Sequence, residues 1–129
     1  MGKYSISKQV DYQYSRAVEK VKGELQSEGF GVLTEIDVKA TLKKKLNKDF
    51  RNYIILGACN PGFAYQALEQ EEELGLLLPC NVIVYEDTRG KTVVAAVDPE
   101  EAMQIAENQG LAKVAAQVTE HLKKVVENL

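Results

Sequence analysis

Tryptophan is absent from this sequence, histidine occurs once, cysteine twice and proline three times in 129 residues. Each scarcity removes a class of protein. Two cysteines, Cys59 and Cys80, with no C-x-x-C between them, are too few for a disulfide framework and lack zinc-ribbon or dithiol spacing. With His121, the single histidine, they would leave a tetrahedral metal site one ligand short. No metal and no cofactor is expected. No stretch approaches the roughly 20 apolar residues that cross a bilayer, and the opening "MGKYSISKQV" lacks the apolar centre of a secretory leader. Met1-Gly2 starts like a myristoylation motif, but Ile6 stands where that motif wants Ser or Thr. A net charge of −3 and a pI near 5.3 speak against general affinity for nucleic acid or an anionic membrane. The expectation is a cytoplasmic, reduced protein without nucleic-acid or membrane partners.

What is present is ordinary globular composition, 45% hydrophobic and 27% charged. A chain of this length buries roughly two-thirds of the surface its unfolded form exposes, so one domain over 1–129 is expected. Residues 4–10 alternate as a strand. Asp11 then offers a cap to a helix with Tyr14, Ala17, Val18, Val21 and Leu25 on one face, stopped at Gly29. A strand over 30–36 leads to Asp37, the cap of a helix with Val38, Leu42 and Leu46 as its inner stripe. "NYIILGAC" is a third strand, and Asn60-Pro61 a helix start, with Asn60 as a side-chain cap and the proline sitting where its missing N–H costs nothing.

"LGLLLPCNVIVYED" supplies the fourth strand, with Pro79 at its start because proline cannot donate to a sheet ladder. A hairpin with Gly90 at positive φ returns through "TVVAAV", and Asp98-Pro99 starts the last helical region. That region breaks at Asn108-Gln109-Gly110 and resumes with a near-heptad stripe from Leu111 to Leu129. The order β-α-β-α-β-α-β-β-α-α with one certain hairpin predicts an α+β fold rather than a doubly wound parallel sheet.

Chemistry-bearing residues are few. Cys59 precedes a helix start, where the dipole lowers a thiol pKa. Cys80 shares a strand face with Leu78, Val82 and Val84, so period 2 points it inward. Lys39, Lys43, Lys44, Lys45, Lys48 and Arg51 crowd one segment, with Lys45 beside the apolar stripe and able to reach over it. Glu69, Glu71, Glu72 and Glu73 crowd the end of the third helix, where the dipole disfavours them. The lysine segment is the natural counterpart, within the molecule or across an interface.

The blocks "DVKATLKKKLNKDF", "ILGACNPGFAYQALEQE", "GLLLPCNVIVYED" and "VAAVDPEEAM", in this order, resemble the bacterial and archaeal domain-of-unknown-function family 302 from about residue 4 to 128. Lys45, Asn60, Pro61, Leu77, Leu78, Pro79 and Cys80 match that family's motif positions. The resemblance implies a single α+β domain with a curved, mostly antiparallel five-stranded sheet packed by helices, of the TATA-binding-protein class, and a homodimer. It brings no activity, cofactor or catalytic residue.

The expectation that follows is a non-enzymatic dimeric module holding a small molecule or protein partner between helix and sheet. Its candidate ligand residues are Asn60, Cys80, Cys59, Lys45 and Pro79, of which Asn60, Cys59 and Cys80 could meet around one helix N-terminus. The alternative is a small thiol-dependent enzyme or redox sensor using Cys80 or Cys59.

Overall fold

The computed structural model describes residues 4–129, and the Gly2 question lies outside them. Five strands, β1 (Ser5–Val10), β2 (Gly31–Asp37), β3 (Tyr53–Cys59), β4 (Cys80–Glu86) and β5 (Thr92–Val97), form one sheet of order β1-β5-β4-β3-β2. Every pairing is antiparallel. The helices are α1 (Tyr14–Ser27), α2 (Val38–Leu46), α3 (Pro61–Gln70), α4 (Pro99–Met103) and α5 (Ala112–Glu127). The architecture is α+β with an open antiparallel sheet.

Local chemistry explains most boundaries. Gly29 takes φ +84° behind α1, and the Gly29 and Phe30 N–H groups return to the carbonyls of Gln26 and Leu25, closing the helix end. Asp37 Oδ1 accepts from the Ala40 N–H at 2.9 Å, and Asp98 Oδ1 from Glu100 at 3.0 Å, so both acids cap as expected. In the β4–β5 hairpin Gly90 has φ +79°. There the Lys91 N–H, followed by that of Arg89, donates to Asp87 and holds its carboxyl below the usual range.

Two helix starts differ from the sequence reading. Helix α1 begins at Tyr14 with Gln13 at the cap position, not Asp11, and no side chain caps it. Tyr12 packs against the core and lies under the Arg16 and Lys20 cations, which keeps Asp11-Tyr12 outside the helix. Asn60 stands at the cap position of α3 without a side-chain cap bond.

Helices α1, α3 and α5 cover one face of the sheet. Ala17, Val18, Val21 and Leu25 of α1 and Val114, Ala115, Val118, Leu122 and Val125 of α5 meet Leu56, Ala58, Val82, Val84, Val94 and Ala96 in one cluster. Thr119, buried on α5, gives its hydroxyl proton to the Ala115 carbonyl. Val126, off the main stripe of α5, is buried in that same cluster, so its apolar surface is used within the chain rather than left over.

Helix α2 departs furthest from expectation. None of its residues is buried: Val38 and Leu42 are half-buried and Leu46 is exposed. It connects edge strand β2 to β3 and packs against those two strands.

Candidate functional site

Of the residues singled out around the third helix start, Cys59, Asn60 and Cys80 come together, and Pro79 and Lys45 do not. Cys59, Asn60 and Cys80 line one cavity with Phe30, Phe63 and Leu78 between the sheet end and α3. Ala58 pairs with Cys80 across β3 and β4, which puts Cys59 beside it. Pro79 precedes β4, outside the ladder as expected, and packs toward Gly57 on the opposite sheet face. Lys45 is exposed on α2 and takes no part in the cluster.

That cavity measures about 20 Å³, room for about one water. Its wall is mainly apolar, and burial controls its chemistry. Burial, helped by neighbouring Cys59, pushes the Cys80 thiol up to about 11. Burial also raises Cys59, against the lowering expected beside a helix start. Both thiols are free, and neither is poised as a thiolate.

One contact here was invisible in the sequence. His121 Nδ1 lies 2.7 Å from Glu28 Oε1, joining α5 to the turn behind α1 across 93 positions of chain. The ring of Phe63 rests 5.4 Å from the imidazole, and Asn60 Nδ2 points at the Glu28 carbonyl at 3.5 Å. At that distance the amide interaction is weak, so Asn60 serves as a spacer between α1 and α3 more than as a cap. Among the described residues, no group of three or more His, Cys, Asp or Glu side chains gathers as metal ligands would.

The far face of the sheet has a different character. Its rows, read across the strands, are Ser7–Ala95–Ile83–Ile55–Ile36 and Gln9–Val93–Tyr85–Tyr53. These central positions are apolar, while the edge strand β1 contributes Ser7 and Gln9. The Tyr53 and Tyr85 rings stack at 5.3 Å. Burial, then the neighbouring Tyr85 and Tyr4 phenols, raises the Tyr53 pKa. A groove of about 470 Å³ runs over Tyr4, Ile83, Tyr85, Val93 and Ala95, with Ser5, Ser7, Lys8 and Gln9 of β1 along its other side.

Two other clefts are comparable in size. One, of about 470 Å³ at the start of α1, is lined by Gln9, Gln13, Asn52 and Glu86, and the last two already bond each other. The other, of about 420 Å³ between α4 and α5, is edged by Glu100, Gln104, Glu107 and Gln109 over a floor of Met103, Leu111, Ala112 and Ala115. The sheet groove differs in being floored by half-buried side chains of adjacent strands.

The fold and this distribution of surfaces define an α+β protein with an open antiparallel sheet, helices on one face and an apolar face opposite. The chain matches the family described as "Domain of unknown function DUF302" over residues 6–129, and it belongs to that family. It is similar to the crystal structure of the uncharacterized conserved protein DUF302 from Bacillus stearothermophilus. The TM-score is 0.90 at 27% identity, with 98% of each chain covered. No curated protein matches the chain. Among the described residues no helix is long and apolar enough to cross a membrane.

Proposed function

We propose that this chain is a non-enzymatic homodimeric module that binds a small molecule or a protein partner on the uncovered face of its sheet. One observation carries the reading. An antiparallel sheet with one face in water normally alternates apolar-in and polar-out, whereas strands apolar on both faces are the pattern of strands covered on both. Strands β3, β4 and β5 have the second pattern, with Ile55, Ile83, Tyr85, Val93 and Ala95 turned away from the helices.

A ligand between helix and sheet, the arrangement expected from the sequence, would have to open a cavity of about 20 Å³. The groove on the other face is already of the size that small-molecule sites have. Thiol chemistry has no observation in its favour, since burial raises both cysteines.

The test uses anilinonaphthalene sulfonate, a fluorescent probe of apolar surface. Native protein at neutral pH is expected to bind it and enhance its emission. Ile83→Lys, which puts a cation at the centre of the face, should weaken binding by about tenfold or more with an unchanged near-ultraviolet circular dichroism spectrum. A native protein that leaves the probe dark, or a variant that binds as well as the parent, contradicts the reading.

A further inference from the structure

We propose that two copies of this chain join through two oppositely charged patches, each meeting its counterpart on the partner copy, so that the contact occurs twice about a two-fold axis. The inference rests on the homodimer reading above and says which surfaces make the dimer.

Of the eight large apolar side chains most exposed among the described residues, five fall in two groups. Ile36 and Leu46 (62% exposed) lie at the end of β2 and on α2. Tyr65 (67%), Leu68 and Leu76 (83%) lie on α3 and the 3₁₀ stretch Glu72–Leu77 behind it.

The charges around the two groups are opposite. Lys39, Lys44, Lys45 and Lys48 surround the first and have no acidic partner among the described residues, Lys43 alone pairing locally with Asp49. Glu69, Glu72 and Glu73 surround the second, also without a cationic partner. The two blocks thus do not neutralise each other within one chain. Each has an apolar centre and a rim in which one sign predominates, with Asp37 and Asp49 beside the lysines and Lys113 beside Tyr65 and Glu69.

Placement in the fold makes the contact reciprocal. Helix α2 precedes the start of β3 at Tyr53, and α3 follows its end at Cys59, so the patches adjoin opposite ends of one strand, ends that are roughly 20 Å apart. A two-fold axis crossing the strands reverses their direction and sets each patch against the opposite one. A stable dimer hides roughly 1,200 Å² in total. Shared over two contacts with two sides each, this is about 300 Å² per patch, close to what two buried aromatic side chains hide. Of the far-face rows only Ile36, at the β2 edge, enters this contact, which leaves Ile83, Tyr85, Val93 and Ala95 to the ligand.

Sedimentation velocity at micromolar concentration tests the proposal through charge reversal. Wild type in low salt should sediment as about twice its 14.3 kDa, and the dimer should weaken as salt rises. Lys44→Glu/Lys45→Glu should loosen the dimer by about tenfold or more, and Glu72→Lys/Glu73→Lys by a similar factor. All four positions are exposed, so circular dichroism should report an unchanged fold. Mixing the two variants should restore association, and so should all four changes in one chain, because each reversed patch then meets its reversed counterpart. A dimer that ignores every reversal overturns the surface assignment while leaving the homodimer standing. A wild-type monomer in low salt overturns the homodimer itself.

Discussion

Gly57→Ala is expected to destabilise the protein by about 3 kcal/mol, the upper end of the range for overpacking a filled site. Gly57 sits on β3 directly opposite Thr34, and a Cβ there would collide with Thr34 Oγ1 and come within 2.8 Å of Pro79 Cγ. The hydroxyl can turn away, but the proline ring at the head of β4 cannot, so strand or turn must shift. Urea unfolding provides the measurement. Gly23→Ala is the control, since a Cβ there meets nothing within 4 Å and helix α1 should gain up to about 1 kcal/mol. Combining Gly57→Ala with Thr34→Ala should recover part of the loss, because one of the two collisions is then gone. A Gly57→Ala protein as stable as wild type would show that the packing of Thr34, Gly57 and Pro79 is looser than described.

The second large effect is alkaline. In the folded chain burial raises Cys80 from an ordinary 9.0 to about 11, while the unfolded chain has the ordinary value. The unfolded state therefore releases its thiol proton first as pH rises. The neutral thiol's contribution to stability is fully present below about pH 9 and is lost as pH passes through about 11. Each unit between the two values is worth about 1.4 kcal/mol, so the loss should reach roughly 2–3 kcal/mol. Raised tyrosines such as Tyr12, Tyr14 and Tyr53 add to the alkaline slope in the same direction. The quantity to read is thus the difference between wild type and Cys80→Ala, the variant losing less stability between neutral pH and pH 10.5. Equal slopes for the two proteins would mean that Cys80 is hydrated in the native state. Iodoacetamide reactivity of native Cys80 should stay low over the same range below its raised pKa.

How much of this was legible in the sequence depended on how local the cause was. The caps at Asp37 and Asp98, and the glycine turns at Gly29 and Gly90, are each decided within a few residues, and all stand as read. The apolar stripes of α1 and α5 were legible because sequence period alone selects the buried face. Periodicity does not say whether anything lies opposite. Helix α2 has a stripe of the same kind, but it hangs at the β2 edge and leaves Leu46 in water. Val126 is the converse, off the heptad stripe yet buried, because α5 is wedged among α1, α4 and β1.

The candidate site shows the same limit. The sequence allowed Cys59, Asn60 and Cys80 to meet around one helix start without requiring it, and they line one cavity at the end of the sheet. Its small volume could not be read, since that depends on Phe30, Phe63 and Met103 filling in from three other segments. The His121–Glu28 contact joins residues with no shared motif. The aliphatic richness of the strands was plain. Which of their two faces would lack a cover is a property of where the crossovers run.

The account's central claim is that the uncovered sheet face, and not the thiol corner, is the working surface. An amide chemical-shift map of isotope-labelled protein titrated with anilinonaphthalene sulfonate addresses it most directly. The account predicts shifts concentrated on Ile55, Ile83, Tyr85, Val93 and Ala95. Shifts gathered instead on Asn60, Phe63 and Cys80 would contradict it and return the site to the space beneath α3.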